Sequence, residues 1–119
     1  MHKVRNTSTL VLKAVLSLKQ EIDDHPLKRK SIPALISKIN FGRNVVQESF
    51  KEITGKTIIR YQLEARMDAA SELLKESKMT IQQIAYKCGY KTQANFSSDF
   101  KKVYKETPSE WQRKYFEQN

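Results

Sequence analysis

The 119 residues carry 39% hydrophobic and 29% charged side chains, one cysteine, two histidines and a net charge of +9 at a pI near 9.7. One cysteine excludes an intramolecular disulfide, two histidines supply no metal-ligand spacing, and no apolar run approaches the roughly 20 residues of a membrane span. The opening MHKVRNTSTL lacks the apolar segment of a secretory signal, so a cytoplasmic address with no membrane contact is expected.

Residues 8–24, STLVLKAVLSLKQEIDD, set Val11, Val15, Leu18 and Ile22 on one face and predict an N-terminal helix. HPLKRKS then reads as a charged linker. From Ser31 the chain repeats itself. SIPALISKINFGRNVVQESFKEITGKTIIRY (31–61) aligns with TIQQIAYKCGYKTQANFSSDFKKVYKETPSEW (80–111). Ser31 faces Thr80, Ile32 faces Ile81, Leu35 faces Ile84, Ile36 faces Ala85 and Phe41 faces Tyr90. After one extra residue in the second turn, Val46 faces Phe96, Phe50 faces Phe100, Ile53 faces Val103, Thr57 faces Thr107 and Tyr61 faces Trp111.

Each copy predicts a helix of about two turns, a tight turn and a longer helix. Thr80 and Gln83 form a capping-box pattern at the start of one short helix. Gly89 is suited to the left-handed residue that ends it, and Asn40 is the expected counterpart in the first copy. Bulky Ile36 where the second copy has Ala85 predicts looser packing in the first. Val46, Phe50, Ile53 and Phe96, Phe100, Val103 are the expected inward faces of the longer helices, and Tyr61 and Trp111 are expected to close the two cores. Cys88 falls at a core position.

Between the copies, IIRYQLEARMDAASELLKES (58–77) has no Gly or Pro and predicts one continuous connector helix of about 30 Å. Arg66 lies within it, near Glu64 and Asp68, and an ion pair is its expected role. Thr107, Pro108 and Glu110 combine a cap, a first-turn proline and a capping-box acid before Trp111. The expected fold is all-α: a seven-helix bundle with two helix-turn-helix units joined by a long connector. The parts are residues 1–56, 57–79 and 80–119 of one domain.

A helix-turn-helix unit braces one helix across a nucleic-acid backbone while the other offers its outward side to the major groove. The charge pattern agrees: +4 over residues 1–30, +2 over 31–56, zero over 57–79 and +3 over 80–119. Basic charge at both ends suits a polyanion. Two alternatives stay open from the residues: an ordinary helical hairpin, and a helical module whose basic faces meet an acidic protein. An enzyme finds no support, because no nucleophile–base set, metal ligands or phosphate-cradling glycine loop can be assembled.

With the apolar residues inward, the first reading helix offers Asn44, Gln47, Glu48 and Lys51. The second offers Gln93, Ala94, Ser97, Ser98 and Lys101. Amide side chains pair bidentately with adenine, a carboxylate accepts from cytosine N4, and Ala94 suits a thymine methyl. Arg43, Lys91, Thr92 and Lys102 are the expected phosphate contacts.

Arg66-Met67, Ala70, Leu73-Leu74, Ile81, Ile84-Ala85, Gly89-Tyr90, Phe96, Phe100-Lys101 and Thr107-Pro108 together resemble the DNA-binding domain of AraC/XylS-type bacterial transcription regulators, over about residues 10–115. The resemblance implies two recognition helices in adjacent major grooves of double-stranded DNA, transcriptional activation and contact with RNA polymerase. No cofactor, metal or small-molecule ligand is expected in this chain. Departures from the pattern are Gly42 for the usual Ser, Glu48 and Ser98 where Arg is frequent, Lys105-Glu106 for the usual glycine, and Gln112 for Arg.

Overall fold

The computed structural model describes residues 8–76 and 78–118. Ser77, the expected last residue of the connector, and the opening residues 1–7 lie outside the described residues. The described residues form seven helices in order: α1 Thr9–Asp24, α2 Ile32–Ile36, α3 Arg43–Thr54, α4 Ile58–Glu76, α5 Ile81–Lys87, α6 Gln93–Tyr104 and α7 Pro108–Gln118. The described residues include no strand.

Helix starts follow local chemistry. Ser8 Oγ accepts from Val11 N at 3.2 Å, and Ser31 Oγ accepts from Ala34 N at 3.3 Å. Thr80 and Gln83 cap reciprocally, the Gln83 carbonyl accepting from Thr80 N at 2.8 Å and Thr80 Oγ1 from Gln83 N at 3.1 Å. Thr107 and Glu110 do the same at 2.8 and 3.2 Å. These bonds satisfy backbone donors that the first turn of a helix leaves unpaired.

The chain divides into two compact units, with the boundary inside α4 after Gln62. The first contains the chain up to His25 and Lys30–Gln62. Val11, Val15, Leu18 and Ile22 of α1 are buried there with Ile32, Val46, Phe50 and Ile58. Burying each such side chain contributes about 1.5–3 kcal/mol, which is what fixes α3 against α1. Tyr61 meets the edge of Phe50 at 5.4 Å, and its hydroxyl donates to Asp23 at 2.6 Å. Tyr61 is thus only half-buried, closing the core with its ring and reaching water with its oxygen. Ile53 is also half-buried rather than sealed.

Asn40 does not take the left-handed conformation expected of it; Lys105 is the only non-glycine residue with positive φ among the described residues. The reason is that α2 stops early. It spans five residues, and its C-cap Ser37 stays in the right-handed region, so the chain leaves through a turn before Asn40 is reached. Ile36 is half-buried, in line with looser packing in the first copy.

The second unit contains Pro26–Arg29 and the chain from Leu63. Its core is Met67, Ala70, Leu74, Ile84, Ala85, Cys88, Tyr90, Phe96 and Phe100, with half-buried Trp111 against it. Burial pushes the Cys88 thiol up to about 11, so it is packing rather than a reactive group. The linker is not free of structure: Leu27 packs at this core, and the Arg29 guanidinium lies 4.4 Å from the Tyr90 ring centre. Arg66 is an ion-pair residue as expected, but neither Glu64 nor Asp68 is the partner. Its side chain is 6% exposed and turns to Tyr90 Oη at 3.0 Å and Asp99 at 3.8 Å. A buried guanidinium needs a buried acceptor, and carboxylates on the solvent side of its own helix cannot supply one.

Candidate nucleic-acid interface

Helices α3 and α6 are the second helices of the two repeats, each 12 residues long. Val46 and Phe50 anchor α3, and Phe96 and Phe100 anchor α6; all four are fully buried. At 100° per residue, fixing these positions inward turns a defined strip outward. On α3 the strip carries Asn44, Glu48 and Lys51, all exposed, flanked by half-buried Gln47. On α6 it carries Gln93, Ala94, Ser98 and Lys101, all exposed, flanked by half-buried Ser97. Arg43, Lys91, Thr92 and Lys102 are exposed as well. Lys91 and Thr92 stand on the turn just before α6, while the other residues lie on the two helices.

The two helices begin and end differently. Gly42 gives α3 no side-chain cap, whereas Thr92 Oγ1 caps α6 by accepting from Asn95 N at 3.1 Å. Thr92 thus has its acceptor engaged and keeps its hydroxyl hydrogen to donate. At the far ends, Gly55 closes α3 at φ 82° and Lys105 closes α6 at φ 66°. Glycine tolerates that region freely; lysine does so against steric resistance.

Charge is distributed unevenly over the two faces. The Glu48 carboxylate makes no hydrogen bond or ion pair with any described residue, so pairing with Lys51 one turn on does not account for it. Lys102 is drawn to Asp99 Oδ1 at 3.2 Å. Asp99 in turn accepts from Tyr90 Oη at 2.6 Å, and Tyr90 accepts from Arg66. Burial opposes ionisation of Asp99, yet the hydrogen bonds from Tyr90 and Lys102 and the charge of Arg66 hold it below the ordinary aspartate range. Burial and the Asp99 carboxylate push the Tyr90 hydroxyl up to about 12. The chain Arg66–Tyr90–Asp99 pins the rotation of α6 from behind.

Sequence reasoning did not single out Asp99, Arg29, Val45 or Asn95. The first two act across the fold, and no local periodicity reveals them. Val45 and Asn95 are both exposed in the first turns of α3 and α6. They face each other across the offset of 50 residues, and that repeat was the signal that would have found them.

A family model describing a helix-turn-helix domain matches residues 35–114. The chain is 30% identical over 98 residues to the xylose operon regulatory protein of Escherichia coli K12, covering 82% of this chain and 25% of that protein. Its length spans 6% and 37% of two further curated relatives. Among solved structures it resembles the C-terminal domain of AraT, a response regulator from Geobacillus stearothermophilus, with a TM-score of 0.77 at 28% identity over 90% of this chain and 86% of that one. The DNA-binding domain of AdpA, solved with a target DNA, shares the fold with a TM-score of 0.80 at 16% identity, over 88% and 95% of the two chains. With a helix-turn-helix match across most of its length, two repeated units and seven helices, the chain belongs to the AraC/XylS family of helix-turn-helix proteins.

Proposed function

We propose that this chain is a sequence-specific double-stranded DNA-binding module of bacterial transcription regulation. The observation that carries the reading is the matched build of α3 and α6: buried aromatic anchors behind, and amide and ammonium groups in front of both. Amides aimed outward in both repeats, joined on α6 by the hydroxyls of Ser97 and Ser98, are what base edges require, whereas an acidic protein partner would need only charge. Family membership supports the same reading, and the relative named for the xylose operon is a regulatory protein.

In this reading α3 and α6 enter adjacent major grooves. Asn44, Gln47, Glu48 and Lys51 meet the bases of one half-site, and Gln93, Ala94, Ser97, Ser98 and Lys101 meet the other. Arg43, Lys91, Thr92 and Lys102 hold the phosphates. One domain over residues 1–119, activation through RNA polymerase, a cytoplasmic setting and the absence of enzymatic activity complete the proposal. No described helix is long and apolar enough to cross a membrane.

The test is selection of bound duplexes from a random pool. Enrichment of one motif with two unlike halves is the expected result. Retention of the pool without enrichment, with tight capture of an acidic protein bait, would overturn the proposal.

A further inference from the structure

Among the large apolar side chains exposed in the described residues, only one lies on a reading helix: Val45, 44% exposed in the first turn of α3. Nothing in the core explains its position, because Val46, the next residue, is the one fully buried. Val45 lies about 100° around the helix from Asn44, on the flank of the outward strip.

The repeat gives this placement a meaning. Asn44 and Val45 of α3 correspond to Ala94 and Asn95 of α6, with all four exposed. At these two paired positions each helix offers one amide and one methyl-bearing side chain, with the order reversed between the pairs, and α6 adds a second exposed amide, Gln93, just before them. An amide suits adenine, and an apolar side chain suits the 5-methyl group of thymine. A β-branched residue is stiff at χ1, so Val45 holds its methyl groups in place without an ordering cost on contact.

Resting on the DNA-binding reading above, we propose that Val45 is a specificity-determining residue that recognises a thymine methyl group in the half-site read by α3. Asn95 is the amide partner at the equivalent point of α6. At the paired positions α3 then presents an adenine reader followed by a thymine reader, where α6 presents Ala94 followed by Asn95 behind the further amide of Gln93. Adjacent residues on one helix turn reach neighbouring base pairs, so the thymine lies next to the position read by Asn44.

Replacing single thymines by deoxyuridine in the duplex selected above removes one methyl group and leaves every hydrogen-bonding atom. Burying one such group against Val45 corresponds to about a three- to five-fold effect on affinity. Wild-type protein should lose that factor at one thymine of the α3 half-site. V45A should lose affinity for the thymine duplex and bind the thymine and deoxyuridine duplexes alike. V45T, similar in shape, should keep part of the discrimination. Alanine in an exposed helical position preserves folding, which a melting curve of each variant checks. Equal binding by wild type to every deoxyuridine duplex, no thymine in that half-site, or the same discrimination in V45A would overturn the proposal. Loss of preference for the selected duplex over random DNA would overturn the parent reading instead, and the same titration shows which has failed.

Discussion

A carboxylate on a surface that meets phosphates needs a reason, and Glu48 is that residue. It is exposed, and no described residue pairs with it. One reason is discrimination: a carboxylate accepts from cytosine N4 and penalises a base that offers an acceptor there. Glu48→Gln should then relax preference at one position of the site by about 1–3 kcal/mol while strengthening binding to unrelated DNA. Titrating the variant on the selected site and on its single substitutions measures both; uniform strengthening on every sequence would remove Glu48 from base readout. Lys105 poses the second question at this scale. Its φ of 66° places a branched Cα in the left-handed region, where Gly55 sits at the same point of the first repeat. The steric penalty is about 1–2 kcal/mol, offset in part by the greater chain entropy that glycine loses on folding. Lys105→Gly should raise stability by about 0.5–1 kcal/mol in chemical denaturation, even with the Lys105–Lys102 hydrogen bond lost. A decrease would show that this bond outweighs the strain.

Helices are where the sequence was most readable, and the reason is that their signals are local. The four residues predicted to face inward on α1 are the four buried there. Thr80 with Gln83 and Thr107 with Glu110 cap as their spacing requires, since each bond closes within three residues. Asn40 failed because the end of a five-residue helix is set by packing rather than by the residue that follows. Arg29, Asp99 and the true partner of Arg66 were invisible because they meet across 9 to 61 residues of chain. Asp99 has the clearest measurable consequence for its helix. Its side chain is 19% exposed and accepts from Tyr90 and Lys102. Because its folded pKa is lowered below 3.8, the stability it contributes is fully present above that value and is lost as pH falls through the folded pKa. Asp99→Asn should cost about 1–3 kcal/mol at neutral pH, since hydrogen bonds to a charged acceptor weaken. The wild type should therefore lose stability more steeply than the variant in the acid range below about pH 4. Denaturation midpoints from pH 7 to pH 3 provide the check, and parallel acid limbs would show that Asp99 contributes the same in both protonation states.

Across the whole chain, the +9 charge becomes informative only once its residues are placed. Lys19, Lys30, Lys75 and Lys114 lie near carboxylates and offer little net attraction to a polyanion. The exposed cations of the reading helices and their approaches are Arg43, Lys51, Lys91, Lys101 and Lys102, the last shared with Asp99. Each phosphate neutralised releases counterions equivalent to about 0.9 in the slope of log K against log[salt]. The three cations that hold phosphates predict a slope of roughly −2.7, and Lys51 and Lys101 in the grooves extend it to at most about −4.5, gentler than the total charge would suggest. Lys91 sharpens the test because it stands just before α6, where it can meet a phosphate without reaching a base. Lys91→Ala should flatten the slope by about one and weaken binding alike on the selected site and on its single substitutions. Titrations at several salt concentrations measure both quantities. An unchanged slope would take Lys91 out of the interface, and a change confined to one base position would make it a base reader. A wild-type slope near zero would go further, because a surface that displaces no counterions is not bound to DNA.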